Sequence, residues 1–196
     1  GASHLLAKNV NASVINAGDG SNEHPTQALL DMYSILEEKG KIDGLNVAII
    51  GDIANSRVAR SNVFGLTKLG ANVTLAGPST LVSKNMETLA KNVKVVNNIE
   101  EGIKEADVIM GLRVQFERQK KMPFPNTSEY HQIFGLKQDM LNLAKDDVTI
   151  MHPGPVNRGV ELSTEVIDGK SSIINEQVKN GVAVRMAILK LLLENK

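Results

Sequence analysis

The feature that most constrains this chain is a regular alternation of short apolar segments with longer amphipathic ones. The apolar segments are residues 45–52, 72–76, 93–96, 107–112 and 148–151. Helix-like segments lie near 25–38, after Ser56, and near 83–91, 99–106, 137–144 and 175–193. Strands that alternate with helices are typical of βαβ units. We therefore predict an α/β fold, a doubly wound and mainly parallel sheet with helices on both faces.

Two of the predicted helices have recognisable ends. The helix that begins near Pro25 can be capped by Asn22 or Ser21, and Gly40 is expected to end it. The next helix has candidate caps and a predicted apolar stripe, with Asn55 or Ser56 as the cap, Ala59, Val63, Leu66 and Leu69 on the buried face, and Gly70 at its end. Residues 116–135 contain two prolines and read as one long loop, either a lid over a site or a solvated linker.

The composition argues against several classes of function. The chain of 196 residues carries 22 basic and 22 acidic side chains, so no electrostatic footprint of nucleic-acid binding is expected. It contains no cysteine, and its histidines, 4 in number, are scattered, so neither a metal nor a cofactor is predicted. No apolar run is long enough for a membrane span, and the N-terminus lacks a signal-peptide pattern. We expect a cytoplasmic protein.

Polar side chains follow the predicted strands at the points where ligands bind in open parallel sheets. Arg57 follows the first strand, Arg113 and Gln115 follow the fourth, and residues 152–155 follow the last. Arg57 lies in the first turn of a helix, where backbone N–H groups and a guanidinium can hold an anion together. The alternatives are a surface arginine at Arg57 and a salt bridge with Glu117 at Arg113.

Two further segments are candidates for the same edge of the sheet. His24 and Gln27 share one face of a helix start, where a histidine tends to stay neutral and can donate a hydrogen bond to a carbonyl oxygen. The alternative is that His24 only completes the helix cap. The turn Pro153-Gly154-Pro155 leaves carbonyl groups free to accept from an amine, or it is a simple loop.

Several longer motifs make the chain similar to a known family. His24-Pro25-Thr26-Gln27 resembles the HPTQ helix of the aspartate and ornithine carbamoyltransferases. The motifs of the aspartate branch are found at 51–62, 112–118 and 152–159. The ornithine branch has a cysteine in its last motif, and this chain has none. The resemblance covers nearly the whole chain and indicates the catalytic subunit of an aspartate carbamoyltransferase.

The resemblance implies a role for each candidate residue. His24 would donate a hydrogen bond to the carbonyl oxygen of carbamoyl phosphate, while Gln27 would hold its amide nitrogen. The backbone carbonyls around Pro153, Gly154 and Pro155 would share that contact. Arg57 and Arg113 would bind the two carboxylates of L-aspartate, with Gln115 near the amino group. Glu117 would steady Arg113. The product would be N-carbamoyl-L-aspartate, an intermediate of de novo pyrimidine biosynthesis.

The resemblance also sets expectations for the whole subunit. The family's phosphate-binding Ser-Thr-Arg-Thr-Arg motif, a mobile-loop lysine and a further arginine have no counterpart here, so we expect a cut N-terminal end and feeble activity of the chain alone. The predicted domains are 1–34, a remnant of the carbamoyl-phosphate domain, then 35–174, the aspartate-binding domain, and 175–196, a helix that packs back on the first domain. A homotrimer is expected for the intact subunit, and the attachment of regulatory chains stays open. The alternatives are a non-catalytic dicarboxylate-binding module and another carbamoyltransferase specificity.

Overall fold

The computed structural model describes residues 1–115 and 126–194, and these form a five-stranded sheet with helices on both faces. The helices are α1 Ala2–Asn9, α2 Pro25–Lys39, α3 Arg57–Lys68, α4 Ile99–Ile103, α5 Thr127–Phe134, α6 Thr164–Ile167 and α7 Ile174–Glu194. The strands are β1 Asn46–Gly51, β2 Asn72–Ala76, β3 Val93–Val96, β4 Val108–Leu112 and β5 Thr149–Met151. Short 3-10 helices cover Lys84–Leu89 and Gln138–Leu143.

The sheet is parallel throughout, in the order β3-β2-β1-β4-β5. Val47 of β1 pairs with Val73 of β2 on one side and with Val108 of β4 on the other. The chain therefore winds away from β1 in both directions, and the switch point lies between β1 and β4. The predicted doubly wound parallel sheet is confirmed.

Each face of the sheet has its own core, because the strands are apolar at nearly every position and alternate side chains point to opposite faces. Val47 and Ile49 pack with α2 and α3 on one face. Ala48 and Ile50 pack with α4, α6 and the 3-10 helix Gln138–Leu143 on the other face. Helix α7 contacts α2 and leaves several apolar side chains exposed, namely Val178, Val182, Met186, Leu189 and Leu193.

Most predicted elements are present, with differences in detail. The predicted helices at 83–91 and 137–144 are 3-10 helices, and the one at 99–106 ends at Ile103. The predicted loop 116–135 was wrong over its second half, since Thr127–Phe134 forms α5. Its first half lies outside the described residues, so the question of a lid or a linker stays open there. Helix α6 was not predicted.

The helix ends also differ in part from the prediction. The N-cap residue of α2 is His24 rather than Asn22 or Ser21, while Gly40 ends the helix in the left-handed region as predicted. Ser56 caps α3 with its side chain. Leu69 is 47% exposed and does not belong to the buried stripe, because it already follows the last helical residue of α3. None of the helices in residues 1–115 and 126–194 has the length and apolarity to cross a lipid bilayer.

Candidate active site

A cleft at the carboxyl ends of the strands is the candidate active site. It is lined by His24, Gln27, Ser56, Arg57, Val58, Leu112, Arg113, Gln115, Pro153, Gly154 and Pro155. Every predicted site residue in the described part of the chain therefore lies in one cleft. Glu117 lies outside the described residues. Since β1 and β4 are neighbours, the loops that follow them carry Arg57 and Arg113 to the two sides of the switch point.

Arg57 is held at the first position of α3 by contacts with a distant turn. Ser56 Oγ accepts the backbone N–H of Ala59 at 3.1 Å, which fixes the helix start. Arg57 is half-buried, and its Nη1 donates to the carbonyl oxygen of Gly20 at 3.2 Å. Among the described residues, its buried Nε has no hydrogen-bond partner. The helix N-terminus and the guanidinium together make this corner favourable for an anion.

Arg113 and Gln115 follow the last residue of β4. Asp52, fully buried just beyond β1, positions this segment: its Oδ2 accepts the backbone N–H of Gln115 at 3.3 Å, and its Oδ1 accepts from Asn55 Nδ2 at 2.9 Å. Gln115 Nε2 donates in turn to the carbonyl oxygen of Asn55 at 3.2 Å. The loops after β1 and β4 are thereby tied together. The predicted alternative, a pair of Arg113 with Glu117, involves a residue outside the described ones.

His24 enters the cleft as a neutral side chain. Burial, and then the positive charges of Arg57 and Arg185, lower the pKa of His24 to about 4. Its ring Nδ1 lies 3.3 Å from Thr26 Oγ1, and its backbone N–H donates to Ser61 Oγ at 2.8 Å. Its side chain makes no capping hydrogen bond to α2, which argues against the interpretation that it only completes the cap. The first cause of its neutrality is burial, whereas the sequence suggested the helix N-terminus.

The turn after β5 is built around His152, whose side chain is completely buried. The backbone N–H of Gly154 donates to His152 Nδ1 at 2.9 Å, so the ring proton must sit on Nε2. That Nε2 lies 3.2 Å from Glu161 Oε1, and the same oxygen accepts the backbone N–H of Asn157 at 2.6 Å. The peptide bond between Gly154 and Pro155 is cis. A buried histidine and a buried glutamate thus shape the turn that lines the cleft.

Sequence reasoning missed the groups that support the site. The buried carboxyl groups of Asp31, Asp52 and Glu161 each accept hydrogen bonds from segments that carry cleft residues. Asp52 could have been found, because an aspartate directly after a buried strand is well placed to bond the following loop. Asp31 and Glu161 had no such signal, since neither follows a strand and two of the three partners of Asp31, Asn62 and Gln177, lie on other helices.

The fold and the cleft define a class of protein: an α/β domain whose cleft at the switch point of a parallel sheet is suited to a small anionic ligand. The family can then be identified by sequence. Residues 43–192 match the sequence model described as "Aspartate/ornithine carbamoyltransferase, Asp/Orn binding domain". Residues 1–37 match the companion model for the "carbamoyl-P binding domain". The chain belongs to the aspartate/ornithine carbamoyltransferase family.

Individual relatives agree with this assignment. The chain is 62% identical over 192 residues to the aspartate carbamoyltransferase catalytic subunit of Ruminiclostridium cellulolyticum, a match that covers 98% of this chain and 61% of that subunit. It is 63% identical to the subunit of the same name from Acetivibrio thermocellus, with the same coverage of 98% and 61%. This chain thus spans about three fifths of the length of these relatives.

Solved structures of the family share the fold. The ornithine carbamoyltransferase of Pyrococcus furiosus superposes with a TM-score of 0.83 at 31% identity, covering 95% of this chain and 61% of that one. The aspartate transcarbamoylase of Trypanosoma cruzi in complex with N-(phosphonacetyl)-L-aspartic acid superposes with a TM-score of 0.79 at 29% identity, covering 95% and 59%. The predicted domain boundaries at 34/35 and 174/175 stay predictions.

Proposed function

We propose that this chain carries the aspartate-binding part of an enzyme that transfers the carbamoyl group of carbamoyl phosphate to L-aspartate. In this reaction the amine nitrogen of aspartate attacks the carbamoyl carbon and a C–N bond forms. The C–O bond to the phosphate group then breaks, and the amine loses a proton. The products are N-carbamoyl-L-aspartate and phosphate. No covalent bond to the protein is required, so the protein acts by positioning and by electrostatic stabilisation.

The observation that carries this proposal is that Arg57 and Arg113 line the same cleft from opposite sides of the β1/β4 switch point. A dicarboxylic amino acid offers one carboxylate to each guanidinium, and such charge-assisted pairs are both strong and directional. Gln115, anchored to the loop after β1, lies beside them and is assigned to the amino group. The carboxyl-binding residues of the aspartate branch and the two arginines here occupy the same motifs.

The other side of the cleft suits the carbamoyl group. A neutral His24 can donate from Nε2 to the carbonyl oxygen on which negative charge develops, in the tautomer whose Nδ1 accepts from Thr26. Gln27 and the carbonyl groups of Pro153, Gly154 and Pro155 are assigned to the amide nitrogen of the same group. The geometry that supports this assignment is that all of these residues line one cleft together with the arginines.

The remaining proposals concern the whole subunit. The relatives named aspartate carbamoyltransferase catalytic subunit favour a place in de novo pyrimidine biosynthesis. A cytoplasmic location and a homotrimer are proposed from the family resemblance of the sequence motifs alone. Whether regulatory chains attach stays open, and the packing of α7 on the first domain stays a prediction. Sedimentation velocity of the purified subunit tests the trimer.

Titration calorimetry with L-aspartate tests the aspartate site directly. We expect binding to the 196-residue chain. Arg113→Met should weaken binding by about 10- to 100-fold, the usual worth of a charge-assisted hydrogen bond. Arg60→Met is the matched control, because Arg60 is exposed on α3 outside the cleft. Equal binding by the Arg113→Met variant, or no binding by the unaltered chain, would contradict the proposed site.

Turnover is tested by assaying N-carbamoyl-L-aspartate with both substrates. The chain is assayed alone and after mixing with the segment of the Ruminiclostridium cellulolyticum subunit that it does not cover. We expect the mixture to be the more active of the two. Aspartate binding without turnover in either sample would instead favour a non-catalytic binding module. Turnover of L-ornithine in place of L-aspartate would show another carbamoyltransferase specificity.

A further inference from the structure

Next to the cleft residue Gln27, a single fully buried carboxylate connects α2 and α3, which carry cleft residues, with α7. Asp31 of α2 is 0% exposed. Its Oδ1 accepts from Gln27 Nε2 at 2.9 Å and from Gln177 Nε2 of α7 at 3.0 Å. Its Oδ2 accepts from Asn62 Nδ2 of α3 at 2.8 Å. Three side-chain amides, each from a different part of the chain, therefore point their N–H groups at one side chain.

The chemistry of a carboxylate fixes the direction of these amides. An ionised carboxylate accepts hydrogen bonds and cannot donate one. Gln27 must therefore turn its nitrogen toward Asp31. Because the nitrogen and the oxygen of an amide occupy the two arms of one planar group, the oxygen Oε1 is turned the other way. Gln27 lines the cleft, so the group it offers to a ligand there is an acceptor.

The same carboxylate reaches the turn after β5 through one further residue. Gln177 has its nitrogen bonded to Asp31, which leaves its Oε1 to accept the backbone N–H of His152 at 2.8 Å. Both bonds lie in the interior, where Gln177 is 3% exposed and His152 is 2% exposed. His152 begins the turn whose prolines line the cleft. A reversal of the Gln177 amide would place two nitrogen donors, that of Gln177 and that of His152, against each other.

We propose that Asp31 is a positioning residue that orients the Gln27 amide, so that the cleft presents a carbonyl acceptor, and that holds the turn after His152 through Gln177. The ligand group that fits an acceptor is an N–H donor. Under the proposed function, this donor is the NH₂ of the carbamoyl group. Only this identification of the ligand group rests on the proposed function. The orientation of the amide by Asp31 does not depend on what the ligand is.

Asp31→Asn tests the proposal in the purified chain. The variant keeps the shape of the side chain but has one acceptor oxygen and adds an NH₂ group, so the three incoming donors can no longer all be accepted. The readout is the side-chain NH₂ signal of Gln27 in ¹⁵N–¹H spectra, assigned by its loss in Gln27→Ala. We expect slow solvent exchange of this NH₂ in the unaltered chain and at least about 10-fold faster exchange in Asp31→Asn, since a hydrogen bond to a charged group is lost.

Two controls make the result specific. Asp107→Asn removes another buried carboxylate, which bonds the backbone N–H of Asn46 at 2.8 Å at the opposite edge of the sheet, and should leave the Gln27 signal unchanged. The exposed Gln132 and Gln138 provide reference side-chain signals in the same spectra. Unchanged Gln27 exchange in a folded Asp31→Asn variant would overturn the proposal.

If Asp31→Asn does not fold, a titration of the unaltered chain decides instead. The Asp31 carboxyl carbon and the side-chain NH₂ signals of Gln27 and Gln177 should change with one shared midpoint. The charged side chain that acts on Asp31 from α7 is Arg185, and an arginine stays charged over the whole pH range in which a carboxyl group titrates. A Gln27 NH₂ signal that does not change as Asp31 titrates would overturn the proposal.

A kinetic readout separates positioning from a general loss of structure. In the carbamoyl-transfer assay, Asp31→Asn should raise the KM for carbamoyl phosphate by about 10-fold or more. The calorimetric affinity for L-aspartate should stay within about twofold, because the amides bonded to Asp31 are those of Gln27, Asn62 and Gln177, none of which is assigned to aspartate. An equal loss for both substrates would overturn the positioning role. Failure of the transfer assay in the unaltered chain would count against the proposed function, while the NMR result would still decide the role of Asp31.

Discussion

Gly18 lies directly against the guanidinium group of Arg57, so that a Cβ atom at Gly18 would come within 2.9 Å of Arg57 Nε. Gly18 also has a φ of +123°, in a region that side-chain-bearing residues rarely adopt. The carbonyl oxygen of Gly20 accepts from Arg57 Nη1 at 3.2 Å. The turn that precedes α2 therefore determines where the first arginine of the cleft points.

Gly18→Ala should weaken L-aspartate binding by roughly 10-fold, because the added methyl group displaces the guanidinium from its position. Gly20→Ala is the matched control: its φ of +55° is also positive, but a Cβ there would meet no atom within 4 Å. Both variants are expected to lose stability from backbone strain, about 1–2 kcal/mol each. Calorimetry should then show weaker binding only for Gly18→Ala, and an equal loss of affinity in both variants would contradict this account of Arg57.

The titration of His24 should occur well below the usual range for a histidine. Burial first, and then Arg57 and Arg185, lower the pKa of His24 to about 4. Arg57→Met removes one of these charges and should raise the midpoint of the His24 ring signals in NMR spectra. Arg60→Met should leave the midpoint unchanged, because Arg60 lies outside the cleft. A midpoint that is unaffected by Arg57→Met would show that the two side chains do not interact.

The lowered pKa of His24 also has a consequence for stability. Between about 4 and the ordinary value of 6.5, the unfolded chain binds a proton that the folded chain does not. The contribution of His24 to the free energy of unfolding is therefore present above pH 6.5 and is lost as the pH falls toward 4. His24→Gln should remove this dependence, as measured by denaturant unfolding across that range.

Glu161 should matter for the stability of the turn that lines the cleft. Glu161→Ala removes the acceptor of the Asn157 N–H, at 2.6 Å, and the carboxylate that lies 3.2 Å from His152 Nε2. Since Glu161 and the His152 side chain are buried, we expect the free energy of unfolding to fall by about 1–3 kcal/mol. Glu165→Ala, at an exposed position four residues along the chain, should change it by less than about 0.5 kcal/mol. Equal effects in urea denaturation would mean that the contacts of Glu161 with Asn157 and His152 contribute nothing measurable.

The positions of the cleft residues could be predicted from the sequence because they follow a topological rule. Arg57, Arg113 and Pro153 come just after buried strands, and the carboxyl ends of parallel strands meet at one edge of the sheet. His24 came from its motif and from the helix start. What was needed in each case was a local signal, either the end of a strand or the beginning of a helix.

The supporting network could not be predicted because its members are far apart in the chain. Asp31 and Gln177 are separated by 146 positions, and only the packing of α7 on α2 brings them together. Helix α5 was missed for a different reason, since the signal for its start was local to the sequence. Asn126 Oδ1 accepts the N–H of Glu129 at 2.8 Å as an ordinary N-cap, but the nearby prolines suggested that the whole segment was a loop.

Asp31 should give the chain a pH dependence of stability opposite in sign to that of His24. Burial raises the pKa of Asp31 to about 6, although its hydrogen bonds to Asn62, Gln27 and Gln177 and the charge of Arg185 act against this. Between the ordinary value of 3.8 and about 6, the folded chain holds a proton that the unfolded chain has released. The contribution of Asp31 to stability is therefore fully present below pH 3.8 and is lost as the pH rises through 6.

Because His24 titrates over an overlapping range, the Asp31 effect has to be measured as a difference between two proteins. The free energy of unfolding of the unaltered chain relative to Asp31→Asn should fall by up to about 3 kcal/mol between pH 4 and pH 7. Asp168→Asn is a control with the opposite sign, because the Arg158 guanidinium lowers the pKa of the exposed Asp168 carboxyl. The free energy of unfolding of the unaltered chain relative to Asp168→Asn should therefore rise with pH, and only slightly, since the pair is exposed. A difference for Asp31→Asn that is flat over this range would mean that the pKa of Asp31 is the same in the folded and the unfolded chain, so that its hydrogen bonds and Arg185 fully offset the effect of burial.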